Sequence, residues 1–504
     1  FVFRVGLGAP ATCARGAIDA TRCFLTPPPI SPRPARARAS SLSPPPPSSS
    51  PPPTSPSPAS PPPRRSPPSS PLLLHASTGT GTGTAARGST AGGSSGRRAA
   101  SASVEEFGAV GDGVTSNTAA FRRAVAALEA RAGGGGARLE VPPGRWVTGS
   151  FNLTSRFTLF LHHGAIILGS QDPEEWPLIA PLPSYGRGRE RLGPRHISLI
   201  HGEGLDDVVI TGNNGTIDGQ GRIWWDLWWN RTLNHTRGHL IELVDSTNIM
   251  ISNITLRNSP FWTVHPVYCR NVVIRNLTVL APLNAPNTDG IDPDSSSEVC
   301  IEDCYIESGD DLVAVKSGWD QYGISVGKPS SNIIIQRVSG TTPTCSGVGF
   351  GSEMSGGISN VIIRDLHVWN SAQAVRIKTD VGRGGYITNI TIENVRMEKV
   401  KVPIRFSRGA DDHSDDKYDR SALPKISDVR IRDVVGVDLQ RAPMLEAVHG
   451  AVYEGICFRN VSLTVIKRQD RWHCESVYGE AHDVLPAPCE EFRRNGSSSW
   501  CGHS

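Results

Sequence analysis

From about residue 205 the chain begins to repeat, and this repeat limits the possible folds more than any other feature. Short segments of the form Asn or Asp, apolar, any, apolar start near Asp207, Asn248, Asn271, Glu298, Asn332, Asn360, Asn389 and Asp428, with a weaker one at Gly455. Many of the intervals run 23–34 residues, too long for a hairpin and suited to one coil of a solenoid. Runs such as Val208-Val209-Ile210 and Ile333-Ile334-Ile335 are short and β-branched, which favours strands. The turn signals every 8–12 residues that mark an antiparallel sandwich are missing. The reading is therefore all-β: a parallel β-solenoid, one strand set per coil.

Four polar clusters interrupt the apolar repeat between residues 287 and 378: Asn287-Thr288-Asp289-Gly290, Gly309-Asp310-Asp311, Gly347-Val348-Gly349 and Arg376-Ile377-Lys378. Counted from Val272, Val299, Ile333 and Val361, the offsets to Asp289, Asp311, Gly347 and Arg376 are 17, 12, 14 and 15. Similar offsets put the clusters on one side of successive coils. Coils stack at about 4.7–4.9 Å, so Asp289, Asp310 and Asp311 are expected on neighbouring rungs. Two carboxylates roughly 6.5–9.5 Å apart leave room for an attacking water, the arrangement of an inverting glycosidase. The plainer alternative is that Asp and Asn at these positions only form turns.

Composition splits the chain near residue 102. Residues 1–101 are dominated by Pro, Ser, Ala, Gly and Arg, with eleven Arg, no Lys and the single acid Asp19. So little apolar surface cannot offset the entropy of ordering, and the stretch is expected to be disordered. Removing those eleven and that one from the totals of 51 basic and 48 acidic residues leaves 102–504 with a net charge of about −7. A mildly acidic domain argues against nucleic-acid binding, which wants a basic face. The expected organisation is a tail or misassigned leader (1–101), a catalytic solenoid (102–490) and a C-terminal tail (491–504).

No apolar run reaches the length of a membrane span. No secretory signal is recognisable, since the chain does not start with Met and Leu72-Leu73-Leu74 is too short an apolar core. The Arg- and Ser-rich start is similar in composition to an organelle transit peptide. Eight cysteines beyond residue 102 suit disulfides and an oxidising compartment. Cys300 and Cys304 have no second metal-ligand pair at zinc spacing, so no metal and no cofactor are expected. Sequons at Asn152, Asn214, Asn230, Asn234, Asn253, Asn276, Asn389, Asn460 and Asn495 permit glycosylation, although the Asn-rich repeat generates some by chance.

Outside the repeat, Val104–Gly113 reads as a strand and a Gly-rich turn. A helix is expected over Thr118–Ala132, with Phe121, Val125 and Leu128 on one face, Asn117 as its cap and Gly133–Gly136 as its stop. Such a helix covers the open apolar end of a solenoid. Trp224-Trp225-Asp226-Leu227-Trp228-Trp229 favours packing over sugar stacking. His265 either lines a groove or is a satisfied structural histidine. Residues 411–420 read as a solvated excursion, and the last forty residues as a cap or loose tail.

The order Asn287-Thr288-Asp289, Asp310-Asp311, a Gly-x-Gly element and Arg376-Ile377-Lys378, on Asn-apolar repeats, resembles the polygalacturonases, pectin-cleaving glycoside hydrolases. Ser259–Trp262 and Gly351–Gly357 (Gly-Ser-Glu-Met-Ser-Gly-Gly) are similar to their plant branch, and the likeness covers roughly 102–490. The resemblance implies a right-handed parallel β-helix that hydrolyses α-1,4-galacturonosyl links with inversion. It implies Asp310 as general acid, Asp289 and Asp311 as activators of water, and Arg376, Lys378 and Asn287 as substrate-binding residues, Asn287 alternatively holding only its turn. Its partner is a pectic polysaccharide, and the protein is expected to be a secreted cell-wall monomer, or alternatively plastid-targeted. Two departures stand out. The family's His beside the glycines is replaced by Cys345 or Ser346, and a Tyr after the Arg-x-Lys element is missing near Ala410. An inactive pectin-binding protein and a calcium-dependent pectate lyase are the rival readings.

Overall fold

The computed structural model describes residues 98–408, 412–467, 469–492 and 501. The disorder expected for 1–97, the missing tyrosine near Ala410 and the sequon at Asn495 lie outside the described residues.

The repeat does build a parallel β-helix, whose crossovers take the right-handed sense general to parallel strands. One interior column shows the stacking. Val208, Ile249, Val272, Val299, Ile333, Val361, Ile390, Val429 and Ile456 pair rung to rung, and each is buried. Truncating one such side chain to Ala costs about 2–5 kcal/mol.

The Asn that opens each segment has a backbone reason. Asp207, Asn248, Asn271, Glu298, Asn332, Asn360, Asn389 and Asp428 all adopt left-handed φ, from 53° to 60°, as does Gly455 at 67°. Asn and Asp tolerate that conformation better than other side chains, so the chain can turn sharply between strands at the same place in each coil. The side chains then link the coils: Asn271 donates to Asn248 at 2.6 Å, Asn360 to Asn332 at 3.1 Å and Asn389 to Asn360 at 2.7 Å. A second left-handed series includes Asn253, Asn276, Asn394 and Asn460. Several sequon asparagines are therefore ladder residues.

At the N-terminal end, helix α1 spans Thr118–Ala132 and buries Phe121, Val125 and Leu128, stopping at Gly133 with φ 52°. Asn117 does not cap it through its side chain. Its amide instead bonds the Val110 N–H and the carbonyls of Val110, Thr115 and Val147, tying the helix start to the first rungs. Val104–Phe107 is a 3-10 turn closed by a Ser103 and Glu106 capping box, not a strand. The strand lies earlier, at Ala100–Ser103, paired with Ala137–Val141, so the first rung opens two residues before the compositional break. Helix α2, Arg222–Trp229, holds the Trp cluster with Trp224 and Trp225 buried.

The C-terminal stretch is not a loose tail where it is described. Val477–Leu485 stacks in parallel on Tyr453–Val465. Two disulfides form among the described residues, Cys457–Cys501 and Cys474–Cys489. Cys269 and Cys304 are buried in the wall outside this framework.

A second face carries the site. Strands Phe151–Asn152, Ile200–Glu203, Ile241–Val244 and Val264–Val267 form one run, and Val313–Val315, Ser346–Phe350, Gln373–Lys378, Val402–Ser407, Met444–Glu446 and His473–Glu475 form another. Single bridges from Ile291 and Asp294 to the strands on either side join the two runs into one continuous face.

Candidate active site

Strand alternation decides which side chains reach the groove. On this face Val375, Ile377, Ile404 and Phe406 point into the core, so Arg376, Lys378, Arg405 and Ser407 point out. Rung by rung, Glu242, His265, Asp292, Ala314, Gly349, Arg376 and Arg405 form one outward column. Ala314 and Gly349 leave its middle nearly free of side chains. Asp289 and Asp311 lie in the turns leading into successive rungs: the Gly290 N–H donates to the Asp311 carbonyl at 3.0 Å, and the Leu312 N–H to that of Ser346 at 2.9 Å.

The three acids sit in different surroundings. Asp311 is fully buried; its Oδ1 accepts the Ser346 N–H at 2.7 Å and its Oδ2 accepts Lys378 Nζ. Burial alone would raise its pKa, but Lys378, with help from Lys316 and Arg376, holds it below the usual carboxylate range. Gly349 makes room for it, because a Cβ there would lie 2.8 Å from Asp311 Oδ2. A Cβ at Gly347 would strike Val368 at 2.4 Å, so the Gly-x-Gly element answers to packing.

Asp289 is 2 % exposed. Its Oδ2 accepts from Lys316 at 3.3 Å, while its Oδ1 takes no hydrogen bond from the protein. Burial first, and then the charge of Asp310, push its pKa up to about 7. Asp310 is the most open of the three. Its Oδ1 accepts the Asp311 N–H at 2.9 Å, and its Oδ2 the Asn287 amide at 3.4 Å. Asn287, in left-handed φ of 55°, also accepts from the buried Arg237 at 2.9 Å, so both ends of its side chain are engaged.

Sequence reasoning missed the network beneath. Lys316 is buried between Asp289, Asp292 at 3.7 Å and Glu353 at 3.4 Å, with its ammonium 4.2 Å from the centre of the Trp262 ring. Burial works against its charge, yet Glu353, Asp289 and Asp292 raise its pKa well above the usual value. Asp292 is fully buried with neither oxygen hydrogen-bonded, and burial and the charge of Asp289 drive its pKa far up. Glu353 is also held by Arg189 at 2.5 Å.

Arg189 belongs to a strap, residues 182–190, that roofs this part of the face. Leu182 and Tyr185 close a small apolar cluster with Val244, Phe261, Trp262, Val267 and Trp319. The Tyr185 hydroxyl donates to Asp294 at 2.5 Å, and Glu190 pairs with Arg237 at 2.6 Å. His265 lies under this roof, buried between Glu242 at 3.0 Å and Asp294 at 3.2 Å. It is a satisfied structural histidine.

Cys345 carries a thiol near the acids: one oxygen each of Asp310 and Asp311 and the Cys345 Sγ lie within 4.8 Å of one another. Such a trio has the donor types of a cation site, but Asp311 is already neutralised by Lys378, which favours proton chemistry over cation binding there. Arg376 lies half-buried one rung away, its Nε donating to Ser407 at 3.2 Å.

Comparison with known proteins agrees with this architecture. Residues 188–483 match the family described as Glycosyl hydrolases family 28. The chain is 48 % identical over 401 residues to a "Probable polygalacturonase" of Vitis vinifera, covering 79 % of this chain and 82 % of that protein. It is 33 % identical over 276 residues to an endo-polygalacturonase of Pectobacterium carotovorum subsp. carotovorum, covering 52 % and 64 %. Among solved structures, a hyperthermoactive exopolygalacturonase from Thermotoga maritima superposes with a TM-score of 0.64 at 27 % identity, over 75 % of this chain and 91 % of that one.

Proposed function

Because this chain belongs to glycosyl hydrolase family 28, we propose that the groove on its second face is the active site of a pectin hydrolase in which Asp310 is the proton donor and Asp289 and Asp311 activate water. The enzyme is a glycoside hydrolase that cleaves polygalacturonate. The observation that carries the site assignment is the stacking of three carboxylates on adjoining rungs, beside an ammonium and a guanidinium able to hold a uronate.

Each role follows from its surroundings. Asp310 reaches the groove, so it can place a proton on a glycosidic oxygen. Asp289 keeps one oxygen without a protein hydrogen bond, a lone pair able to take a proton from water. Asp311, held ionised by Lys378, orients that water and repels a second negative charge on its neighbours. Two adjacent carboxyls resist joint ionisation, and the charge of Asp310 adds to burial in holding the Asp289 carboxyl up. The productive form carries one proton, on Asp310, and leaves Asp289 free to accept one from water. Attack by water from the face opposite the leaving group inverts the anomeric carbon. Arg376 offers a planar fork to a substrate carboxylate, and Asn287, fixed by Arg237, orients Asp310.

The described solenoid brings all these groups together in one chain, which supports a monomer as the working unit and 98–492 as the catalytic domain. The acidic balance of residues 102–504 argues against a nucleic acid as partner, and it is the basic groups gathered in the groove that suit a polyanionic polysaccharide. Two disulfides support secretion to the cell wall, and no helix among the described residues is long and apolar enough to cross a membrane.

Reducing-end release from polygalacturonate by the wild-type chain and by Asp310→Asn tests the assignment. The variant is expected to lose about 10²–10⁴-fold in kcat, the usual contribution of general acid catalysis, with its Tm unchanged. Equal rates in both proteins would remove Asp310 from the mechanism, and unsaturated products would turn the reading towards a lyase.

A further inference from the structure

On the open part of the catalytic face two neighbouring cations, Arg376 and Arg405, have no paired carboxylate among the described residues. We infer that Arg405 is a substrate-binding residue: together with Arg376 it forms a guanidinium pair that takes the free carboxylates of two consecutive galacturonate units. The inference rests on the hydrolase reading above and adds a second binding residue to that site.

Position comes first. Ile404 and Phe406 are buried in the core, so Arg405 between them points into the groove. It stands directly beside Arg376 on the next rung, at the usual strand spacing of about 4.8 Å. A pyranose unit is of comparable length, so a chain lying along the helix axis brings successive units to successive rungs. On the other side of Arg376 the column continues as Gly349 and Ala314, and the Asp311 carboxylate lies over Gly349, so the pair stands next to the acids.

Charge comes second. Most outward cations on this face are neutralised within the protein: Lys316 by three carboxylates, Lys378 by Asp311, Arg195 by Glu242 and Arg408 by Glu475. Arg376 has only the neutral Ser407 hydroxyl. Arg405 Nε is buried without a hydrogen-bond partner. Burial first, and then repulsion from Arg376, lower the Arg405 pKa; Glu446 opposes this weakly, its carboxylate lying 3.4 Å from His473. Two guanidinium groups kept side by side and uncompensated cost stability in the empty groove, and that cost is relieved when anions lie across them. A uronate carboxylate matches each fork in shape and charge. Methyl esterification removes both the charge and one acceptor oxygen, so an esterified unit is refused at these positions.

The test uses the full chain with Arg405→Gln and Arg405→Lys, assayed on unesterified oligogalacturonate and on its methyl ester. On the unesterified substrate the Gln variant is expected to raise KM roughly tenfold or more, as for loss of a charge-assisted hydrogen bond, with kcat within about threefold. On the ester, which these positions refuse, wild type and the Gln variant should both turn over slowly and at similar rates. Lys should recover part of the KM, because it restores the charge without the fork. An unchanged KM for the Gln variant, or an equal loss of kcat on both substrates as from a structural defect, overturns the inference. If the wild-type chain turns over neither substrate, the hydrolase reading falls instead. Calorimetric titration with unesterified oligogalacturonate then decides the role of Arg405: about tenfold weaker binding in the Gln variant upholds it, and equal binding rejects it.

Discussion

Two stretches of one sheet face treat charge in opposite ways. Beneath the strap of residues 182–190, Lys316, Asp289, Asp292 and Glu353 are buried together, and Arg189 and Tyr185 close the roof from above. Two and three rungs on from Lys316, Arg376 and Arg405 stand half-buried with no carboxylate between them. Both sets line the same sheet face, so the fold alone does not separate them. Neutralisation does. The roofed charges are partners for one another and shape the acids. The open ones are left for something that arrives. A buried charge with its partner in place is part of the architecture, and removing one side of it is costly. A half-exposed charge without a partner is nearly free to lose until the ligand is present.

The largest effect should therefore come from breaking the roofed set. Lys316→Met leaves Asp289, Asp292 and Glu353 without their shared cation, and breaking a buried pair of this kind costs about 3–5 kcal/mol. Denaturant unfolding should show that loss, while Arg405→Gln stays within roughly 0.5 kcal/mol of wild type. Similar stability losses in the two variants would erase the contrast.

Much of this fold was legible in the chain, and the reason is local. Every coil needs a left-handed residue at the same corner, and Asn or Asp meets that need, so the repeat shows in the letters. The limits of α1 were legible too, because Gly133 ends it by backbone geometry. Of the site, the stacking of Asp289 on Asp311 followed from coil spacing. Lys316 and Glu353 did not, because nothing in Val313-Ala314-Val315-Lys316 or Gly351-Ser352-Glu353 shows that a strap from residue 185 will bury them. Asn117 looked like a helix cap because its alternative partners lie before the helix, at Val110, and thirty residues further along the chain, at Val147. Arg405 did leave a signal. It follows Arg376 by 29 residues, as Asn389 follows Asn360, so one coil repeats the basic position of the last.

A smaller effect separates the two stretches by pH. Burial and Asp310 raise the Asp289 carboxyl from 3.8 to about 7, so the folded protein keeps a proton that the unfolded chain releases. That contribution to stability is complete below pH 4 and is lost as pH rises through 7. Its size is on the order of 2–4 kcal/mol. Asp289→Asn abolishes the titration. Unfolding free energies measured from pH 4 to 8 should therefore fall less steeply for the variant than for wild type. Parallel curves would mean that burial and the charge of Asp310 do not hold the Asp289 carboxyl up and that the roof is more permeable to water than its packing suggests.

The smallest effect belongs to Cys345, one of the two residues, with Ser346, expected in place of the histidine that the family resemblance implies. Its thiol lies beside Asp310 and Asp311, and burial first, and then those two carboxylates, raise its pKa well above the ordinary thiol value. At working pH it is a neutral, weak donor, unable to carry a proton as imidazole does. Asp311, meanwhile, takes its hydrogen bond from the backbone N–H of Ser346 and its charge from Lys378, neither of which depends on the residue at 345. Cys345→Ala should thus leave kcat within about threefold, of the order of one weak hydrogen bond. Alkylation of the native thiol should be slow at neutral pH, since the thiolate is the reactive form. A loss comparable to that of Asp310→Asn would show that the thiol holds the proton donor in place. The open stretch would then contain a side chain that supports an acid from within the protein, as Lys316 does under the strap, and the division between the two would fail.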